Sequence, residues 1–496
     1  MMRPITPVSQ SLNDIEAFLG LEVSGSNLLI TGITAHSGEV LPGDLFIALS
    51  GATPQSRHGA EFIEEALSAG AVAVLTDGKS EVSSTRVPML ILNSAERFIG
   101  DLTSWFYGHP SRQMVTVGIT GTNGKTTTAS LLHQLWTLSD REAGFIGTLG
   151  IDLGAEHFSG THTTPDATSL QSTLGAMAER HLTHVVMEVS SHALAQHRAS
   201  GTRFSMVGFT HLSQDHLDFH GDMESYFQAK ARLFTLEYAD LAFINIDSSY
   251  GVRLLESVSI PVVTLSHSDP KANWHIVHSH PTDSGYDIAI RGLGGILIEG
   301  FLPLIGRHNL ENALMAIAMA VESGVDPLLI SSRMRELRGV PGRLEMIDVG
   351  QDFTAVVDFA HSPSSVEAVL QTLREITPGK IIAVLGCGGD RDRTKRPLMG
   401  SALLSYSDHA IFTSDNPRSE DPIEILREMT SGIALLPTSL VEIDRRTAIT
   451  RAVSLAMPGD CVVVLGKGHE VGQEIKGTKH PFDDRIELAR AIGGSK

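Results

Sequence analysis

Two cysteines in 496 residues, Cys387 and Cys461, are too few for a disulfide framework or a cysteine-based zinc site. Both lie in apolar, strand-like runs and read as buried free thiols of a reducing compartment. No apolar run approaches the length of a membrane span, and the opening residues, MMRPITPVSQ, lack the apolar stretch of a signal peptide. The expected location is cytoplasmic, with no membrane partner. Basic residues are also in deficit: 38 Lys and Arg against 57 Asp and Glu give a net charge of −19. That balance argues against non-specific binding to nucleic acid, and it means that an anionic ligand needs local positive sites set against the overall field. Neither a sequence repeat nor a low-complexity tract is present. What remains is an ordinary globular composition, 42% hydrophobic and 19% charged, long enough for about three domains.

One stretch organises the chain, MVTVGITGTNGKTTT at 114–128. Val115 to Ile119 is a short, β-branched apolar run, the mark of a buried parallel strand. Gly118, Gly121 and Gly124 follow, and Lys125, Thr126, Thr127 and Thr128 open a segment whose Ala129, Leu132, Leu135 and Trp136 share one helical face. Strand, glycine loop, Lys-Thr and helix together make a phosphate cradle. Backbone N–H groups approach the anion, the helix N-terminus adds its dipole, Lys125 brings a full charge, and Thr126 sits where a hydroxyl reaches Mg2+. Ile119 stands where the strict G-x-x-x-x-G-K-[ST] pattern has its first glycine. The expected ligand is ATP.

The pattern predicts a doubly repeated α/β plan around this centre. Residues 1–108 form a first unit, with strands at 27–33, 44–49 and 71–75 and a helix at 60–68 that stops at Gly70. Residues 109–338 carry the phosphate loop and further strands at 185–189, 204–210 and 241–246, with polar clusters at their carboxyl ends, where open parallel sheets bind ligands. Shorter alternating strands over 260–304 read as an antiparallel extension, followed by a helix from 310 to 321. The sequence RGVPGR at 338–343 breaks any regular element. Residues 339–496 repeat the pattern, with strands at 354–359, 381–385, 409–412 and 462–465 running into charged loops.

Several of those loops can carry chemistry. In GDMESYFQAKARLF at 221–234, Lys230 shares a helical face with Met223, Tyr226, Phe227 and Phe234. It is either a lysine snorkelling from a half-buried stripe, or a desolvated lysine whose neutral amine can be covalently modified. Asp215, His216, Asp218 and His220, with Glu188, offer oxygen and nitrogen donors that suit Mg2+ or Mn2+ at an ATP site better than structural zinc. The run Asp390 to Arg396 is either a solvated mixed-charge loop or, after the glycines at 386, 388 and 389, a ligand-facing one. Asp415-Asn416-Pro417-Arg418 is a turn by composition, or a carboxylate and guanidinium placed to grip a zwitterionic amino acid.

Taken together, the stretches TGTNGKTT (120–127), TTPD (163–166), MEVSSHALAQHR (187–198), DHLDFHG (215–221), GRHNLENA (306–313), GVPGRLE (339–345), DFAHSP (358–363), GCGGDRDRTKRP (386–397), DNPR (415–418) and GKGHE (466–470) resemble the Mur ligases, ATP-dependent amino-acid-adding enzymes of peptidoglycan synthesis. The resemblance covers nearly the whole chain. It implies a three-domain α/β architecture with a central P-loop parallel sheet and a C-terminal Rossmann-like domain. It is strongest to members that add a diamino acid to UDP-N-acetylmuramoyl-L-alanyl-D-glutamate, in which DNPR accompanies meso-diaminopimelate, whereas lysine-adding members lack the arginine.

The resemblance also implies roles. Gly121, Thr122, Asn123, Gly124, Lys125, Thr126 and Thr127 hold ATP phosphates, with Asn309, Arg343 and Asp358 as further nucleotide contacts. Thr126, Glu188 and His216 are ligands of two Mg2+ ions, and Lys230 is carried as a carbamate. Lys125, Lys230 and His216 thereby form the catalytic set. Thr163, Thr164, Ser190, Gln196 and Arg198 contact the UDP-muramoyl-dipeptide. Arg391, Asp415, Asn416, Arg418, Gly466 and Glu470 form the diaminopimelate pocket. The implied partners are small molecules only, and the implied state is a monomer. The chain departs from the family pattern at His36-Ser37-Gly38, where Asp-Ser-Arg forms a uridine-side signature and only Ser37 is kept. It departs again at His211, Gln214 and Ser364. The competing readings are the same ligation with L-lysine or another acceptor, folate polyglutamylation, and a P-loop ATPase acting as a binding module.

Overall fold

The computed structural model describes residues 2–51, 57–80, 86–160, 162–282 and 284–494. Three sheets of more than two strands follow one another along the chain. In the first, Gly32–Thr34, Asp44–Ala48, Ala73–Thr76 and Met89–Ile91 run parallel in that order over a core of Ile33, Leu45, Leu75, Leu102 and Phe106. The strand expected over 27–33 is split. Leu29–Ile30 pairs antiparallel with Gln10–Ser11, and Thr31 donates its N–H to the Gly43 carbonyl as the chain changes partners. The helix Ile63–Ala69 ends at Gly70, whose φ of +111° suits a residue without Cβ.

The central sheet has eleven strands. Its parallel middle runs Ala143–Gly147, His184–Glu188, Val115–Thr120, Phe204–Phe209, Ala239–Asn245, Val262–Ser266. The extension over 260–304 is therefore antiparallel only in part. Val262–Ser266 continues the parallel set and pairs parallel with the start of Trp274–Thr282, and antiparallel pairing begins with Gly285–Arg291 and Leu297–Leu302. Helices Lys125–Leu138 and Arg307–Glu322 cover one face, where Trp136 and Ile317 are buried. Helices Ala167–Glu179 and Met223–Ala231 cover the other, against Val207 and Phe209. This order sets the carboxyl ends of the 115–120, 184–188 and 204–209 strands side by side, with Glu188 level with Ile119 and Phe209 level with Thr120. No helix among the described residues is long and apolar enough to cross a membrane.

In the third sheet Glu345–Met346 is antiparallel, and Thr354–Asp358, Cys461–Leu465, Ile381–Cys387, His409–Ser414 and Leu440–Val441 are parallel. Helices pack on both faces, over cores that include Leu370 and Leu403 on one side and Ile449 and Leu488 on the other. Cys387 and Cys461 are buried free thiols, each pushed up to about 12 by burial. Arg445 is wholly buried. Its guanidinium donates to Asp484 at 2.8 and 2.6 Å and to the Leu465 carbonyl at 2.8 Å, so it ties the carboxyl end of a central strand to the last helix. At the 338–343 junction, Gln134 pairs with the Arg338 backbone through both its amide groups, at 2.8 and 3.1 Å.

Arg445→Met leaves the Asp484 carboxylate buried without its partner. Destabilisation of this region by about 3–5 kcal/mol is expected. Hydrogen-exchange protection of the Cys461–Leu465 amides reads it directly, and adding Asp484→Leu recovers most of the loss.

Candidate active site

The loop after Val115–Thr120 folds as a tight cradle because two of its residues have no side chain. Gly121 and Gly124 have φ of +150° and +85°. A Cβ on Gly121 would lie 2.0 Å from the Thr210 hydroxyl, and one on Gly124 would lie 2.4 Å from Asn312 Oδ1. Thr210 donates to the Asn123 carbonyl at 2.6 Å, and the Thr122 N–H to the His211 carbonyl at 2.6 Å. No side chain caps the start of helix Lys125–Leu138, so its first N–H groups face the cleft as anion donors. Lys125 Nζ donates to the carbonyls of Gly121 at 2.8 Å and Thr122 at 3.0 Å. Burial lowers its pKa, and Glu188 pulls the other way.

Lys230 is 1% exposed, which rules out a snorkelling side chain. Its Nζ donates to the same Gly121 carbonyl at 2.8 Å and lies 4.8 Å from the centre of the Tyr226 ring. Burial holds its pKa well below the ordinary lysine value, and the neighbouring Lys125 charge adds to the shift. The desolvated, modifiable amine is thus the reading that the geometry favours.

Glu188 ends its strand beneath the loop. One carboxylate oxygen accepts from Thr126 Oγ1 at 2.8 Å and the other from the Thr148 N–H at 2.7 Å. His216, in left-handed backbone at φ +55°, sits edge-on to His192 with ring centres 4.8 Å apart. Burial pushes His216 down to about 4 against the pull of Asp215, so its imidazole is neutral and able to donate a lone pair. Glu188, His216, Asp215 and Asp218 all line one cleft. They do not close on one point: among the described residues no three His, Cys, Asp or Glu side chains form a metal-holding group. His220 turns away, with Nε2 2.9 Å from Ser191 Oγ.

On the far side of the cleft, Asn309 donates to the Ile305 carbonyl at 2.8 Å and accepts from Asn312 at 3.3 Å. The Arg343 guanidinium stacks 4.4 Å over the Phe359 ring. Asp358 accepts from the N–H groups of Leu344 and Ala360, both at 2.7 Å. Burial raises the Asp358 pKa and Arg343 opposes it.

The DNPR segment follows His409–Ser414 and is held as a pocket. Asn416 donates to Glu470 at 2.8 Å, and Lys467 Nζ bridges Asn416 Oδ1 at 3.0 Å and Glu470 at 2.9 Å. A Cβ on Gly466 would stand 2.6 Å from an Asp415 carboxylate oxygen. Arg418 has φ +50°, exchanges backbone hydrogen bonds with Glu474 and Lys476, and donates from Nη1 to the Gly389 carbonyl at 2.6 Å. Its Nη2 has no hydrogen bond among the described residues. Arg391 is exposed at the rim, with Nη1 3.3 Å from the Asp390 carbonyl.

Thr163, Thr164, Ser190 and Arg198 line the cleft near Glu188, with Thr164 Oγ1 donating to the Glu188 carbonyl at 2.9 Å and accepting from the Ser190 N–H at 3.1 Å. Gln196 and Ser37 do not line it. Gln196 Oε1 is buried without a hydrogen bond, and Ser37 donates to Glu65 at 3.1 Å. At the 36–38 departure, His36 Nε2 instead meets Asp166 at 3.1 Å, which joins the first unit to the cap of helix Ala167–Glu179.

Thr122 to Thr127, Glu188, His216, Asn309, Arg343, Asp358, Asp415, Asn416, Arg418 and Glu470 share one cleft of about 1170 Å3 between the central and third sheets, whereas Lys230 lies buried behind the loop. Sequence reasoning missed Thr210, Asn312, Phe359 and His361, which also line it, as does Lys395 from the charged run at 390–396. Phe359 and His361 stood within a quoted motif, and Asn312 lies three residues after Asn309, so their signal was present without a role attached. Nothing in the sequence singles out Thr210.

Comparison with known proteins follows the same outline. Residues 119–320 match the family profile described as Mur ligase middle domain, and residues 342–468 that described as Mur ligase, glutamate ligase domain. The chain is 44% identical to a UDP-N-acetylmuramoyl-L-alanyl-D-glutamate–2,6-diaminopimelate ligase of Streptomyces avermitilis, over 99% of this chain and 98% of that one. It is 41% identical to the ligase of the same name from Aquifex aeolicus, over 94% of each. A solved structure of a ligase of that name superimposes with a TM-score of 0.70 at 32% identity, covering 98% of this chain and 99% of the other.

The His36–Asp166 contact is a pH probe. The hydrogen bond to Asp166 raises the His36 pKa, outweighing burial. Burial alone would raise Asp166, but hydrogen bonds from His36, Ser169 and Thr168 hold it well below the usual range. The folded state therefore binds the His36 proton more tightly than the unfolded chain. The contact contributes fully between the ordinary aspartate range, about pH 4, and about pH 6.5; it is lost as pH rises through the folded His36 pKa and as pH falls through the folded Asp166 pKa. Titration of the His36 ring by NMR should give a midpoint above that value, and Asp166→Asn should bring it back down.

Proposed function

The chain belongs to the Mur ligase family, and from that membership we propose that it joins meso-2,6-diaminopimelate to the D-glutamyl residue of UDP-N-acetylmuramoyl-L-alanyl-D-glutamate at the expense of ATP, a step of peptidoglycan precursor synthesis. It is a ligase that forms an amide bond. The observation that carries the reading is the shared cleft: a phosphate cradle and a charged amino-acid pocket, on different sheets, open onto one space. We divide the chain into a UDP-substrate unit at 1–108, an ATP unit at 109–338 and an amino-acid unit at 339–496, and we take it to act as a cytoplasmic monomer on small molecules alone.

The chemistry follows from the charges. A carboxylate is a poor acceptor for an amine, so an oxygen of the D-glutamyl side chain first attacks the γ-phosphorus of ATP and ADP leaves. The product is an acyl phosphate. The neutral amine of diaminopimelate then attacks its carbonyl carbon, a C–N bond forms, and the C–O bond to phosphate breaks with its electron pair. The amine's proton passes to phosphate or solvent. Lys125 and the uncapped N–H groups of the loop offset the repulsion between carboxylate and triphosphate. Thr126, Glu188, His216 and a carbamate on Lys230 offer three oxygen-bearing groups and one neutral imidazole, a donor set that fits Mg2+ (two ions in this reading), which supplies further charge neutralisation when bound. The buried, weakly basic Lys230 amine suits reaction with CO2, because only the unprotonated form is a nucleophile.

Asn309, Arg343 and Asp358 are assigned to the nucleotide, and Thr163, Thr164, Ser190, Gln196, Arg198 and Ser37 to the UDP substrate. Asp415, Asn416, Glu470, Gly466 and Arg391 are assigned to diaminopimelate. Arg418 selects it. Its guanidinium lines the cleft, with Nε 3.4 Å from Glu474 and Nη2 without a hydrogen bond among the described residues, and the distal carboxylate of diaminopimelate, absent from lysine, would complete its hydrogen bonds.

Phosphate release measured with ATP, Mg2+ and UDP-muramoyl-L-Ala-D-Glu should require meso-diaminopimelate and not occur with L-lysine. Release with lysine would overturn the role of Arg418, and release without any amino acid would point to an ATPase. Arg418→Ala should weaken diaminopimelate use by about 2–5 kcal/mol in kcat/KM. Lys230→Ala should lose on the order of 10²-fold or more in kcat. Full activity in that variant would remove the carbamate from the account.

A further inference from the structure

Thr122 lies in the phosphate loop, yet its hydroxyl is engaged by Ser213 and Tyr226. A hydroxyl has one proton to give and two lone pairs to share. Thr122 Oγ1 lies 3.0 Å from the Ser213 N–H, 3.1 Å from the Ser213 carbonyl and 3.0 Å from the Tyr226 hydroxyl. The Ser213 N–H can only donate and its carbonyl can only accept. The remaining lone pair of Thr122 therefore takes the Tyr226 proton, and the side chain is saturated. Its backbone N–H is spent as well, on the His211 carbonyl.

These bonds fix a spacing. They hold the loop carrying Lys125 and Thr126 against residues 211–216, the segment that ends in Asp215 and His216. Tyr226 closes the arrangement from below. It sits on helix Met223–Ala231, four residues before Lys230, so this helix grips the loop at two adjacent residues, Thr122 through Tyr226 and Gly121 through Lys230. Tyr226 is 1% exposed and lines no part of the cleft, so it touches no substrate.

We propose that Tyr226 is a positioning residue for phosphoryl transfer, acting through the Thr122 hydroxyl to set the distance between the phosphate loop and the Asp215–His216 segment. The inference rests on the ligase reading and adds a residue to it. Reactions that depend on near-attack placement lose rate, with little loss of binding, when such a distance relaxes.

The test is a double-mutant cycle on diaminopimelate-dependent phosphate release. Tyr226→Phe keeps the ring and removes the proton, and Thr122→Val keeps the shape and removes the acceptor. Each should lower kcat about 10-fold, with KM for ATP and for the UDP substrate changed by less than about 3-fold. Thr122→Val also removes the two bonds to Ser213, whereas Tyr226→Phe acts only through the Thr122 acceptor, so the double variant should be no slower than Thr122→Val alone. Thr122→Ser, which restores the hydroxyl, should recover the rate to within about 3-fold of the parent. Additive losses, or single variants at the parental kcat, overturn the proposal. If Thr122→Val does not fold, Tyr226→Phe decides alone: the stoichiometry of a bound non-hydrolysable ATP analogue counts competent molecules, and a rate loss that merely follows that count overturns it. A parent enzyme that releases no phosphate in response to diaminopimelate would instead refute the ligase reading itself, which is a separate result.

Discussion

The Gly121 carbonyl oxygen accepts hydrogen bonds from two lysines, Lys125 and Lys230, each at 2.8 Å. Two ammonium groups cannot stay fully charged so close together in a desolvated place, and the burial of Lys230 decides which one gives way. The protein carries a net charge of −19 and must gather positive charge at one point against that field. A single glycine carbonyl, free to point inward because Gly121 has no side chain, makes the gathering possible. Burial lowers both lysines, Lys230 well below the ordinary value, while Glu188 pulls Lys125 the other way, so Lys230 is the weaker base of the two. Most of the site's chemistry depends on that difference.

The rest of the fold carries groups to this point from a distance. Parallel strands deliver Glu188, Thr210 and Asp215 to neighbouring carboxyl ends. The third sheet brings its own strand ends across the cleft, with Arg343 stacked on Phe359 and the Asp358 carboxylate anchored by two backbone N–H groups. The two halves meet through both kinds of contact: Ser364 Oγ reaches Ser213 Oγ at 3.4 Å and Gln134 clasps Arg338 at the junction, while Ile305 packs into the core of the third sheet with Leu344, Val369 and Leu373.

Much of this was legible in the sequence, for physical reasons that differ by element. The phosphate loop could be read because glycine spacing and a Lys-Thr pair have few other uses at a strand-to-helix turn. The ends of the parallel strands could be read because buried β-branched runs stop where polar residues begin. Periodicity placed Lys230 on an apolar face but could not say whether its amine reached water; only the packing of Tyr226 and Gly121 around it answers that. Strand pairing was the weakest point. Val262–Ser266 alternates like an edge strand yet joins parallel neighbours on both sides, because side-chain period reports which faces are buried and not the direction of the partner. The His36–Asp166 contact joins residues 130 apart and leaves no local trace. Thr122 was assigned to phosphate by its place in a motif, whereas its hydroxyl proves to be committed elsewhere.

Arg418 holds a left-handed backbone conformation, φ +50°, kept in place by main-chain hydrogen bonds to Glu474 and Lys476. Asparagine, aspartate and glycine enter that region readily, while β-branched residues pay about 1–3 kcal/mol there. The backbone thus filters which mutations at position 418 a lineage can explore. Drift toward a different amino acid would run through small polar residues or glycine and bypass valine, isoleucine and threonine, whatever the genetic code offers. Position 418 is constrained by a torsion angle as much as by the charge that the side chain presents.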